Sequence, residues 1–244
     1  MQAFTPVRQL RVTEDMFEQI FSRIADGSLK TGERLPTERE MALQFGVSRS
    51  TVRETLRMLQ HSGLIRIKYG SQGGAFVSTD DWSPVSNALR MILRLNQTPL
   101  TELLEARKFI EAASAKLAAE RAGEDDLAKM RASLEEMKAN LTDHAVMNEA
   151  NTLFHITIAQ AAGNLVLLAT MQSLQRLIEK SVDELVNDLN ASHGLLSAHN
   201  EIFDAIVKRN ADAAQAAMNR HLESIERQAR RWLLANRASA KTVY

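Results

Sequence analysis

The chain has 244 residues, enough for two modest domains that each bury a core. It contains no cysteine, which excludes disulfides and thiolate chemistry, and it has no apolar run of about 18 residues that would suggest a membrane span. Its 30 Lys and Arg balance 30 Asp and Glu, so net charge alone argues against a nucleic-acid binder. The distribution of charge reverses that impression. Residues 1–79 hold 11 Lys and Arg against 8 Asp and Glu, and segment 48–68 carries Arg49, Arg53, Arg57, Arg66 and Lys68 against Glu54 alone. A local basic patch suffices for DNA contact, because counterion release depends on the residues at the phosphates. The N-terminus lacks the basic-then-apolar pattern of a signal peptide, and the expectation is a cytoplasmic, soluble protein.

In chain order, Phe17, Ile20, Phe21 and Ile24 form an apolar stripe at helical spacing, with Thr13 as the expected N-cap and a stop near Gly27. After the turn at Gly32–Pro36, Thr37 is placed to cap a second helix, with Glu40 at the capping-box position. Met41, Ala42 and Phe45 face the core, and Gly46 ends the helix as a left-handed cap. Ser48 then caps a third helix that buries Val52, Leu56 and Leu59, leaving Arg49, Ser50, Thr51 and Arg53 to project from its first turns. Two short strands follow, Leu64–Lys68 and Ala75–Ser78, joined by the small, flexible tip Tyr69–Gly74. Helix, tight turn, helix and hairpin is the layout of a winged helix-turn-helix whose second motif helix enters the major groove. Arg reads guanine through two hydrogen bonds, and Ser or Thr hydroxyls suit phosphates or either base. Each arginine taken singly also fits a solvated or salt-bridged surface residue, and Glu54 is a candidate partner for Arg53 or Arg57.

The strings Leu35-Pro-Thr-Glu-Arg-Glu40 and Gly46-Val-Ser-Arg-Ser-Thr-Val-Arg-Glu54, followed by the glycine-rich wing, closely resemble the GntR family of bacterial transcriptional regulators over about residues 10–78. The resemblance implies operator contacts from Arg39, Arg49 and Arg53, with Ser50, Thr51, Tyr69 and Gly70 assisting. It also implies a homodimer on a short palindrome of double-stranded DNA.

Asp80–Pro84 marks a composition break, giving a DNA-binding domain over 1–80 and a second domain over 81–244, with a linker at about 79–99. Beyond it, segments at about 84–96, 99–122, 124–140, 144–162, 165–189, 197–209 and 211–236 carry apolar residues three and four apart, separated by breaks such as Gly163-Asn164 and Asn190–Ser197. The fold class is therefore mainly α: a three-helix winged module with its hairpin, then an all-α bundle of six or seven helices.

Within the second domain, Leu100, Leu103, Arg107, Ile110, Ala113 and Leu117 share one stripe, which points Arg107 inward. A buried guanidinium needs a partner, either a protein carboxylate such as a glutamate from a facing helix or a small anionic ligand. His155, His199 and His221 lie on three different helical segments, each among apolar neighbours that mark inward faces. Three inward histidines are what a Zn, Ni or Mn site requires, although a histidine on an apolar face is more often a satisfied core residue. His61, His144 and His193 read as surface or loop residues.

The strings Glu105-Ala-Arg107-Lys-Phe-Ile-Glu111, Phe154-His155, Ala198-His199 through Ile206, and Met218-Asn-Arg-His221-Leu222 resemble the FCD version of the FadR-like group over roughly 85–235. That resemblance implies an effector-binding and dimerisation domain with Arg107 at the effector pocket. It also implies a divalent metal held by one aspartate and three histidines, the aspartate standing four residues before the first histidine. Here that position is Asn151, which offers a carbonyl but no charge.

The leading expectation is a regulator, not an enzyme, that responds to a small carboxylate. An acyl-thioester or metal-independent effector is the alternative within the class. A helical-bundle metalloenzyme is more remote, since no carboxylate general base stands beside the histidines. A DNA-binding dimer without an effector is a third class.

Overall fold

The computed structural model describes residues 11–70, 72–182 and 189–235. In chain order its elements are α1 (Arg11–Ala25), α2 (Glu38–Phe45), α3 (Arg49–His61), β1 (Ile65–Lys68), β2 (Gly74–Val77), α4 (Ser83–Leu95), α5 (Leu100–Arg121), α6 (Glu124–Ala139), α7 (His144–Ala161), α8 (Leu165–Val182), α9 (Leu189–Val207) and α10 (Ala211–Ala235). They divide into two compact units, Met1–Pro84 and Val85–Tyr244, so that α4 occupies most of the segment expected as linker.

Local chemistry sets the ends of the first unit's helices. At the start of α2 the Thr37 N–H donates to Glu40 Oε2 at 2.8 Å while the Glu40 N–H donates to Thr37 Oγ1 at 3.3 Å, the reciprocal capping box. Such a cap is worth about 1 kcal/mol over alanine. Gly46 closes the helix at φ 66° and ψ 32°, a conformation that costs glycine no Cβ clash, and its N–H donates to the Ala42 carbonyl. Ser48 caps α3 by accepting from the Thr51 N–H at 3.1 Å. The resulting core gathers Met16, Ile20, Met41, Val52, Leu59 and Ile65, all less than 5% exposed.

Helix α1 differs from expectation in phase. It includes Arg11, so Thr13 lies inside the helix and is buried rather than preceding it as a cap. The inward stripe is Thr13, Met16 and Ile20, while Phe21 is 41% exposed and stacks on Phe17 at 6.3 Å. The wing pairs antiparallel from Ile65↔Val77 to Lys68↔Gly74, with Ile65, Ala75 and Val77 inward. The turn before α2 also joins this edge, since the Leu35 N–H donates to the Ala75 carbonyl at 2.8 Å.

Seven helices make up the described part of the second unit, with α5 packed against α7, α8, α9 and α10. Ala115, Ala118 and Ala119 on α5 are fully buried, and their small side chains let neighbouring helices approach. Met130, Met147, Phe154, Ile158, Ile202 and Met218 fill the main core, and Leu100, Leu103 and Leu104 form a second cluster with Leu174 and Leu177. The break expected at Asn190–Ser197 is overturned. Those residues are helical, with Gly194 inside α9, because Leu195 and Leu196 pack on the core and tertiary burial outweighs a propensity deficit of about 1 kcal/mol. The end of the helix expected over 165–189 lies partly outside the described residues. No helix among the described residues is long and apolar enough to cross a membrane.

Candidate functional sites

In the first unit, α3 presents Arg49 and Arg53 one turn apart, with side chains 64% and 54% exposed. Both reach back to Glu38 at the start of α2. Arg53 donates from Nε to Oε1 at 3.1 Å and from Nη2 to Oε2 at 2.9 Å, and Arg49 Nη2 lies 3.7 Å from Oε2. The Arg53 hydrogen bonds hold the Glu38 carboxyl below its ordinary range. Glu54, the sequence-based candidate, makes no ion pair with either arginine among the described residues; the glutamate that does so belongs to the preceding helix. Ser50 and Thr51 hydroxyls sit 2.7 and 2.9 Å from Ser48 Oγ at the helix start. Arg39 is exposed on α2, Tyr69 is 89% exposed, and Gly70 at φ +102° turns the wing tip; Ser71 lies outside the described residues.

The second unit buries a polar cluster built from four helices. Arg107 and Glu111 stand one turn apart on α5, His155 comes from α7, His199 from α9 and His221 from α10, and all five are 5% exposed or less. Glu111 uses both oxygens: Oε1 accepts from Arg107 Nε, and Oε2 lies against His155 Nδ1. The partner of Arg107 is thus its own helix neighbour, not a glutamate from a facing helix. Burial opposes charge on Glu111, but Arg107 and His155 overcome it and hold the carboxyl at about 2.

The three imidazoles converge through their Nε2 atoms. His199 Nε2 is 3.2 Å from His155 Nε2 and 3.3 Å from His221 Nε2, and one ligand atom from each of the three lies within 4.8 Å of the others. Tetrahedral Zn–N bonds of about 2.0–2.1 Å place donor atoms about 3.3 Å apart, so the set has the spacing of metal ligands. With a carboxylate against His155 Nδ1, the proton belongs on that nitrogen and Nε2 presents a lone pair. A single N–H on His199 Nε2 serves one of its two neighbours, leaving the other neighbour's lone pair without a donor from His199. Burial, then the neighbouring His155 and Arg107, pushes His221 down to about 3; burial, then the neighbouring His221, His155 and Arg107, holds His199 well below its ordinary value. Both are neutral near pH 7, the form that ligates.

Asn151 lies one turn before His155 on α7, and its carbonyl oxygen is buried without a hydrogen-bond partner. A buried carbonyl without a donor fits a cation better than it fits a finished core. Glu149 is exposed, as the helix phase requires. His61 is exposed and His144 half-buried at the start of α7; the side chain of His193 lies outside the described residues. Sequence reasoning gave Glu111 no role. The signal available was its i,i+4 spacing from Arg107.

A winged helix-turn-helix joined to a helical bundle with a buried histidine cluster defines a DNA-binding regulator of transcription. The family described as bacterial regulatory proteins, gntR family, matches residues 12–77, and the FCD domain matches residues 102–224. Among relatives, the HTH-type transcriptional regulator LutR of Bacillus subtilis (strain 168) is 32% identical over 208 residues, covering 83% of this chain and 94% of its own. The galactonate operon transcriptional repressor of Escherichia coli (strain K12) is 32% identical over 215 residues, covering 85% and 92%. The solved structure of Streptococcus agalactiae GntR has the same fold, with a TM-score of 0.65 at 24% identity over 88% of this chain and 99% of that one. The chain belongs to the GntR family and carries an FCD domain; it is a regulator, not an enzyme.

Proposed function

We propose that this cytoplasmic regulator binds a palindromic operator as a homodimer, and that a small hydroxycarboxylate held in the helical domain beside a divalent metal controls its operator affinity. The observation that carries the effector reading is the convergence of three histidine Nε2 atoms in a buried cluster that also contains Arg107. His155, His199 and His221 would hold Zn, Ni or Mn, with Asn151 offering its carbonyl. When bound, the cation supplies positive charge and open positions for carboxylate and hydroxyl oxygens. Arg107 spends Nε on Glu111, so a ligand carboxylate would be held through its Nη groups. One relative is named for the galactonate operon, and galactonate is a polyhydroxy acid of this chemical class.

On the DNA side, Arg49 and Arg53 exchange a solvent-exposed carboxylate for base edges, while Arg39, Ser50, Thr51 and the Tyr69-Gly70 tip take the backbone. The dimer is supported by α4, which exposes Ala88, Met91, Ile92 and Leu95 at the spacing of one helical stripe. A second copy covering that stripe would give the two-fold symmetry a palindrome needs.

The experiment is fluorescence anisotropy on an operator obtained by in vitro selection, titrated with D-galactonate and other hydroxy acids in the presence of Ni²⁺. A palindromic selected site and an affinity that changes with a hydroxy acid are expected. Unchanged affinity across hydroxy acids, sugar acids and dicarboxylates would leave a DNA-binding dimer without a carboxylate effector. That second reading is favoured by one observation, the pairing of Arg107 inside its own helix.

A further inference from the structure

The ligand set of the histidine cluster carries no negative charge. As metal ligands, His155, His199 and His221 would each contribute an uncharged imidazole, and Asn151 offers an uncharged carbonyl. Among the described residues, Glu111 is the carboxylate that touches the cluster, and its charge is already matched by Arg107 on its other oxygen. The five charged and histidine side chains are 0–5% exposed, so solvent does little to screen what enters. A divalent cation arriving alone therefore brings its full charge into a buried site that the protein leaves neutral, an arrangement that is costly unless a counter-charge comes with it.

We propose that Asn151 makes metal binding conditional on an anionic ligand, so that the cation and a chelating carboxylate enter this site as a unit. The inference rests on the reading above that the three histidines hold a metal. The carboxylate would supply the negative charge that an aspartate at position 151 would supply permanently, and Arg107, buried in the same cluster, would be the cationic side chain available to pair with it. The site is then a coincidence detector: neither component occupies it well alone. Linkage requires reciprocity, so the factor by which the carboxylate raises metal affinity equals the factor by which the metal raises carboxylate affinity. The ligand class follows as hydroxycarboxylates that place a carboxylate and a neighbouring hydroxyl on one cation.

The test is calorimetric titration of the full-length protein with Ni²⁺ in carboxylate-free buffer, and again with saturating D-galactonate, L-lactate or acetate, for the wild type and for Asn151→Asp. In the wild type, at least one carboxylate should raise Ni²⁺ affinity about tenfold or more. Asn151→Asp should bind Ni²⁺ about tenfold or more tightly than wild type without a carboxylate, and gain less than threefold from adding one, by about the same charge argument. Should Asn151→Asp fold poorly, the reciprocal titration of the wild type with carboxylate, with and without Ni²⁺, reads the same coupling. Wild-type affinity for Ni²⁺ that no carboxylate raises overturns the inference while leaving the metal site intact. Absence of Ni²⁺ binding by folded wild type and variant under every condition overturns the metal reading itself, and the inference with it.

Discussion

The two units each pair an arginine with a glutamate, and they do so in opposite environments. Arg53–Glu38 in the winged unit is bidentate and open to water, with the arginine side chain 54% and the glutamate 30% exposed. Arg107–Glu111 in the helical unit is 5% and 2% exposed and extends to His155. An exposed pair contributes about 0–1 kcal/mol, so it is readily given up when a phosphate or a guanine edge competes for the guanidinium. A buried pair is costly to assemble and more costly to break, because each partner left alone is an uncompensated charge. The first arrangement suits a surface that exchanges partners; the second suits a frame that holds other groups still.

The largest effect should come from breaking the frame. Glu111→Ala leaves Arg107 buried without its carboxylate and His155 Nδ1 without an acceptor, and should destabilise the helical unit by about 3–5 kcal/mol. Chemical denaturation of the full chain, followed by circular dichroism, measures it; a loss under about 1 kcal/mol would mean the triad is solvated and the contrast is false. Arg53→Ala should weaken operator binding by about 1–3 kcal/mol with thermal stability nearly unchanged, as anisotropy and melting curves would show. Equal losses in both would make Arg53 a structural residue.

Acid separates the units by a different route. Folded His221 titrates at about 3 and His199 is also depressed, whereas the unfolded chain takes up protons near 6.5, so the unfolded state binds more protons between those values. Stability from these neutral histidines is fully present above about 6.5 and is lost as pH falls from there toward 3. Glu111, held at about 2, adds a loss of the same sign as pH falls below its ordinary value of 4.5. Melting temperature of the metal-free protein should therefore drop between pH 7 and 5, with a shallower slope in His221→Gln. An identical slope in that variant would place the acid sensitivity elsewhere. The smallest effect is expected at Arg66, whose exposed partner is Asp80 at 3.0 Å; Arg66→Ala should shift stability by under about 1 kcal/mol.

The winged unit was the more legible of the two, because its determinants are local. Thr37, Glu40, Gly46 and Ser48 act within a few residues of themselves, and each stands where its spacing placed it. The partner of Arg53 was not legible, since Glu38 lies on another helix and Glu54 is nearer in sequence. In the helical unit, periodicity located most of the helices but neither the start of α9 nor the phase of α5. The run 112–119 offers alanines on both sides, so the apolar pattern does not choose a face, and a rule that places apolar residues inward passes over Glu111 in favour of Ile110. The inward turn of His155, His199 and His221 was readable from Phe154, Ile158, Phe203, Met218 and Leu222, all buried. Their convergence to 3.2 and 3.3 Å was not, because it depends on how α7, α9 and α10 cross.

We propose the histidine cluster as a ligand-binding centre, not a finished piece of core. Equilibrium dialysis of the full chain against Ni²⁺ with D-galactonate or acetate present, for wild type and His199→Ala, decides between the two. About one equivalent of metal per chain in the wild type, lost in a folded His199→Ala, is the predicted result. A folded wild type that retains no metal, or a variant that retains as much as the wild type, would contradict it.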